Sequence, residues 1–113
     1  MTEVKKNLIT MTRGDTVVLS IEITDIDGSP YIPVEGDTLR FAMKKNYTDA
    51  EPVLVKSIPI DTMELILEPA DTKNLGFGQV NGHYKYDIEL TTSEGSVNTV
   101  IPRGDIIILE EVL

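Results

Sequence analysis

Thr16-Val17-Val18-Leu19-Ser20-Ile21-Glu22-Ile23-Thr24 alternates its side chains, with Val17, Leu19, Ile21 and Ile23 on one face and Val18, Ser20, Glu22 and Thr24 on the other. Successive side chains of an extended chain point to opposite sides, so this run marks a strand with one buried face. The same period recurs along the chain. Leu39, Phe41 and Met43 alternate with Arg40, Ala42 and Lys44, and Met63, Leu65 and Leu67 form a third run. In a fourth, Tyr84, Tyr86, Ile88 and Leu90 oppose His83, Lys85, Asp87 and Glu89. Shorter runs at 8–11, 53–58 and 97–101 add strands, and Ile106-Ile107-Ile108-Leu109 is apolar on both faces.

Between these runs lie turn residues. Asp27-Gly28 and Glu94-Gly95 supply the positive φ of tight hairpins. Pro30 and Pro33 interrupt any ladder around Tyr31 and Ile32, because proline lacks the amide donor. The single helical candidate is 69–75, opened by Pro69 with Asp71 as an early acidic residue, and it is too short to stand alone. Seven or eight short strands with one helical turn predict an all-β, antiparallel β-sandwich over a single domain, residues 1–113. Leu65 to Leu67, then Pro69 to Thr72, then Gly82-His83-Tyr84-Lys85-Tyr86 give an immunoglobulin-like layout. Tyr84 is then the corner tyrosine, and Tyr86 stands where an antibody domain has its second Cys.

Composition narrows the chemistry. The 113 residues are 41% hydrophobic and 26% charged, as in ordinary globular domains. With no Cys and one His there is no thiol nucleophile, disulfide framework or multi-histidine metal site, and no cofactor or metal ligand set is expected. A net charge of -9 argues against nucleic acid as a partner, since that affinity rests on Lys and Arg at phosphates. Lys5 and Lys6 precede only Leu8 and Ile9, too short an apolar region for a classical signal peptide, and no stretch reaches the length of a membrane span. The expectation is a chain made in a cytoplasm that stays soluble, with no membrane partner.

Candidate sites compete with plain structural roles. Arg-Gly-Asp occurs at 13–15 and 103–105; on an exposed loop it could serve adhesion, but both copies precede a strand, as Gly36-Asp37 does, which favours a glycine bend. Asp25-Ile26-Asp27-Gly28 opens like a calcium loop but lacks the later ligands; Asp49 and Glu51 are nearby acids. His83, opposed to Tyr84, reads as a surface histidine. A carboxylate pair could serve a small hydrolase, but a filled sandwich offers little concave space, and no catalytic residue is assigned. The 106–109 run needs cover on its second face. Either the strand is central and capped by the domain's own loops, or it packs on a second chain, with Glu110 and Glu111 as guarding charges. Ile106, Ile107, Ile108 and Leu109 are therefore the candidate interface, with the 53–58 region as a possible participant.

Gly14-Asp15-Thr16, Asp25 to Pro30, Gly36-Asp37-Thr38-Leu39-Arg40-Phe41, Lys44-Lys45, Leu67-Glu68-Pro69-Ala70-Asp71-Thr72, Leu75, Gly82 to Leu90, Gly95 and Thr99-Val100 resemble small β-sandwich proteins of tailed bacteriophages and prophages. The nearest comparison is the N-terminal domain of the phage baseplate upper protein family. The resemblance covers nearly the whole chain, through strand and turn signatures rather than catalytic residues. It implies a non-enzymatic structural, tail-associated module that works by protein-protein contact with other phage structural proteins, with homo-oligomers possible. Its place would be the virion, or the host bacterial cytoplasm during assembly. The chain ends soon after the sandwich, which points to a small accessory tail, neck or decoration protein, or a prophage remnant. The competing readings are a bacterial surface adhesion module using the Arg-Gly-Asp bends and a small carboxylate-based hydrolase.

Overall fold

In the computed structural model, which describes residues 3–5, 8–24, 28–75 and 81–109, the alternating runs do become strands. In chain order they are β1 (Glu3–Lys5), β2 (Leu8–Thr12), β3 (Val17–Ser20), β4 (Ile23–Thr24), β5 (Pro30–Tyr31), β6 (Thr38–Lys44), β7 (Leu54–Ile58), β8 (Glu64–Leu67), β9 (Asn81–Thr91) and β10 (Val97–Leu109). One short helix, α1 (Pro69–Thr72), lies between β8 and β9.

The protein is all-β apart from that helical turn. Its main sheet has the order β1-β2-β10-β9-β6-β7, and two ribbons, β3–β8 and β4–β5, stand outside it. The inward side chains of the main sheet form one buried cluster with Val17, Leu65 and Leu67 of the β3–β8 ribbon and with Ile21 and Ile23. Within it the register sets Ile9 beside Ile106, Ile106 beside Tyr84, Tyr86 beside Met43 and Ile88 beside Phe41. Phe41 and Tyr86 pack with ring centroids 5.5 Å apart. That contact fills the centre, at the expense of all space for a side chain on the facing residue Gly104, as described below.

Three expectations need correction. Ten strands are described rather than seven or eight: β1 and β5 fall outside the alternating runs, and the 16–24 run divides, β3 pairing with β8 while β4 turns away to pair with β5. The break is held where the Ile21 amide donates to the Met63 carbonyl, at 2.8 Å. Second, the 97–101 and 106–109 runs are one strand, β10, kinked by register shifts between Thr99 and Ile101 and between Ile101 and Gly104. Bulges of this kind accommodate a proline in a ladder, here Pro102. Third, the sheet is mixed rather than antiparallel throughout, since β2 and β10 run parallel from Leu8 beside Asp105 to Thr12 beside Leu109.

α1 forms where its sequence signals lie. Pro69 occupies the first turn, where a missing amide costs nothing, and Asp71 Oδ2 accepts the Glu68 amide at 2.7 Å. Asp71 also pairs with Lys56 of β7 at 2.9 Å, which ties the helical turn to the far edge of the main sheet.

Candidate functional site

The outward side chains of β6 and β9 build a groove on the open face of the main sheet. Pairing sets Ala42 between Asp87 on β9 and Val55 on β7, Arg40 beside Glu89, and Lys44 beside Lys85. The methyl of Ala42 leaves a hollow among these longer side chains, and Tyr47, Ala50 and Pro52 wall one end. The hollow encloses about 350 Å³.

Its charges are arranged in pairs. Arg40 Nη2 donates to Glu89 Oε1 at 2.9 Å, and Lys85 Nζ donates to Asp105 of β10. The Lys85 ammonium also lies 5.6 Å from the ring centre of Tyr47. Its hydrogen bond to Asp105 raises the Lys85 pKa, against a smaller opposing effect of desolvation. Asp87 is different. Burial pushes its carboxyl above the usual range and nearby Glu89 adds to this, while Arg40 and Lys44 pull it down. The groove therefore offers charges of both signs to a polar ligand or side chain.

β7 supplies a second surface. It pairs only with β6 among the described residues, so it borders the sheet; Val53, just before it, and Val55, within it, are 43% and 46% exposed. Lys56 points to the inner side and is engaged by Asp71. An edge strand with an inward-pointing charge resists indiscriminate pairing while leaving room for a specific partner.

The residues singled out in the sequence fall as follows. Ile106 and Ile108 are core residues, so they present no surface in the folded domain. The 106–109 segment is central, flanked by β2 and β9, and its backbone edges are both paired. Only Ile107 and Leu109, half-buried, face outward, with Thr10 and His83 flanking Ile107. The 53–58 region, secondary in the sequence reading, is the segment that lies at an edge. Tyr84 and Tyr86 are both buried near the start of β9, and the Lys45 ammonium lies 4.7 Å from the Tyr84 ring centre. Burial pushes the Tyr86 phenol up to about 12, with the Asp105 charge contributing.

Both Arg-Gly-Asp copies are built into the framework. Arg13 is buried; its backbone amide donates to Leu109 and its guanidinium to the Leu75 carbonyl, at 2.8 and 3.2 Å. Gly14 adopts φ 83° and donates to the buried Thr72 hydroxyl at 2.9 Å. Gly104 is buried in an interior strand, and Asp105 engages Lys85. Neither bend is a free loop tip. His83 is exposed. Asp25, Asp27, Glu110 and Glu111 lie outside the described residues, and no group of three His, Cys, Asp or Glu suited to a metal occurs among the described ones.

The sequence reading missed two features. One is the groove: its outward residues were visible as alternation, but only the β6–β9 register brings Ala42 and Asp87 together. The other is the reach of Asp37: its carboxylate bonds its own turn, as such a Gly-Asp bend implies, through the Val34 amide at 3.0 Å, but it is also buried and accepts from the Tyr31 hydroxyl at 2.6 Å and the Ser93 amide at 3.3 Å. No helix of the described residues is long and apolar enough to cross a membrane. Compared with known proteins, the chain matches no family model, no curated protein and no solved structure.

Proposed function

We propose that the chain is a non-enzymatic, immunoglobulin-like assembly module of a phage or prophage particle, joined to other structural proteins through the β7 edge and the sheet face beside it. The strand order supports the finer fold: β10, β9, β6 and β7 follow the G-F-C-C′ order of variable-type domains, and β3 pairs with β8 as B pairs with E. Tyr84 then occupies the corner position of strand F. The phage setting rests on the strand and turn signatures quoted above.

The observation that carries the role is β7, a sheet-border strand with exposed valines whose unpaired side can accept an extended segment of another protein. The test is the protein content of purified or induced phage particles. The chain should be present in fixed ratio to tail proteins, and Val53→Lys/Val55→Lys should fold normally yet be left out. Absence of the wild-type chain from particles made while it is expressed rejects the proposal.

One observation favours a second reading, a carboxylate-based hydrolase: Asp87 and Glu89 share the groove and stand in unlike surroundings. Glu89 is already engaged by Arg40, at 2.9 Å. Turnover of an oligosaccharide that Asp87→Asn abolishes would establish this alternative.

A further inference from the structure

The most exposed large hydrophobic residues gather at one end of the domain. Ile32 is 78% exposed, and Val34 and Val97 are each 60% exposed. Ile32 and Val34 lie in the segment leading into β6, and Val97 opens β10 after the 92–96 turn. Thr38 and Val97 both pair with Thr91, which brings the two segments to the same end of the sheet.

This end is stiff. Asp37 clamps Tyr31, Val34 and Ser93 through its carboxylate, and its own amide donates to the Val34 carbonyl at 2.9 Å. Pro33 is buried between the two exposed apolar residues. Gly36, at φ 96°, lies against Ser93 so closely that a Cβ there would come within 2.7 Å of the serine Cβ. The 92–96 turn is closed by the Thr92 amide donating to Ser96 and the Gly95 amide to Thr92, both at 2.9 Å. Apolar side chains held outward on a fixed backbone lose little entropy when they are covered, which is the condition for a binding surface.

Charge indicates what covers them. No Lys or Arg occurs between Arg13 and Arg40, or between Lys85 and Arg103. Exposed Glu35 and Glu94 flank the apolar residues, with ionised Asp37 behind them. We infer that this tip docks a protein partner whose contact surface is apolar at its centre and rich in Lys and Arg at its rim. This deepens the assembly role and rests on it, but uses a surface separate from Val53 and Val55. An acidic tip is repelled by anionic lipid, so a membrane surface is a poorer fit.

The test uses the full chain and two synthetic peptides of equal length, one of lysine and leucine, the other of lysine alone. At physiological salt the mixed peptide should bind about tenfold tighter than the lysine peptide. Ile32→Ser/Val34→Ser should remove that advantage. Glu35→Lys/Glu94→Lys should weaken both peptides, whereas Glu51→Lys/Glu64→Lys, of the same net charge, should leave the advantage intact. Equal binding of the two peptides by wild type overturns the inference, as does equal behaviour of tip and control variants. Binding to phosphatidylcholine vesicles that Ile32→Ser/Val34→Ser abolishes also overturns it, in favour of a lipid surface. Because Val53→Lys/Val55→Lys should not change peptide binding, loss of particle incorporation in that variant and failure at the tip are separate results.

Discussion

Gly104 of β10 lies directly beneath the ring of Tyr86 on β9, so close that a Cβ at position 104 would overlap the ring carbons. The glycine of the second Arg-Gly-Asp is thus required by packing. The ring it admits also meets Phe41, and through it the sheet and the central core are joined. A motif that could have signalled adhesion is explained by the volume of one aromatic side chain.

Gly104→Ala should destabilise the fold by about 1–3 kcal/mol, the usual cost of forcing extra volume into a packed interior. In a Tyr86→Leu background the same change should cost less, because the ring that it strikes is gone. Urea midpoints of the four proteins give the coupling. Equal costs in both backgrounds would show that the ring is not what excludes the methyl.

Position, rather than apolarity, should separate neighbouring residues of the last strand. Ile108 is in the core and Ile107 faces outward half-buried, so Ile108→Lys should cost about 4 kcal/mol or more and Ile107→Lys under about 1.5 kcal/mol. Thermal unfolding followed by circular dichroism measures both. Light scattering of Ile107→Lys at graded concentration then reports whether the outer face takes part in self-association.

These two residues also mark how far the sequence could be read. Alternation identified the inward side chains of β6 and β9 correctly, because period two is a local property of extended chain. The Ile106 to Leu109 run carried no alternation, so its place in the sheet depended on its neighbours. Those neighbours are the second strand of the chain, entering parallel, and the ninth, a choice set by the packing of distant segments. The groove was hidden for the same reason: Arg40, Ala42 and Asp87 were each legible as outward, but their meeting was not. Asp37 looked like one more Gly-Asp bend until the 92–96 turn was placed against it.

Asp37 should govern part of the acid limb of stability. The Tyr31 hydroxyl, then the Val34 amide, hold its carboxyl below the usual range, with the Ser93 amide adding to them and burial opposing. A depressed folded-state pKa means that the stabilisation is complete above the unfolded value, about 3.9, and is lost as pH falls through the lower folded value. Asp37→Asn should lower the urea midpoint at neutral pH and flatten its fall below about pH 4. An unchanged acid limb would show that other carboxylates control it.

Tyr86 should act at the other extreme. Its phenol is pushed up to about 12, so the folded state retains a proton that the unfolded chain releases near pH 10. Stability from this group is full below the unfolded value and is lost as pH rises toward the folded one. Lys85, also raised, loses its contribution in the same alkaline direction. Tyr86→Phe should therefore reduce, without removing, the fall in the urea midpoint between pH 10 and 12.

Asp87, in the groove, has the opposite sign to Asp37. Burial, and then the nearby Glu89 charge, raise the Asp87 pKa, so its ionised form is less favourable in the folded chain than in the unfolded one. A raised folded-state pKa gives stability that is complete below the unfolded value and lost as pH climbs through the folded value. At pH 7 the ionised carboxylate is therefore a net cost, and Asp87→Asn should raise the urea midpoint there. The gain should vanish at a pH low enough to protonate the carboxyl in both states. Arg40→Gln removes the stronger of the two cations that pull Asp87 down, so its carboxyl should titrate at higher pH still, measured by carbon NMR. The exposed Arg40–Glu89 pair itself should contribute no more than about 1 kcal/mol.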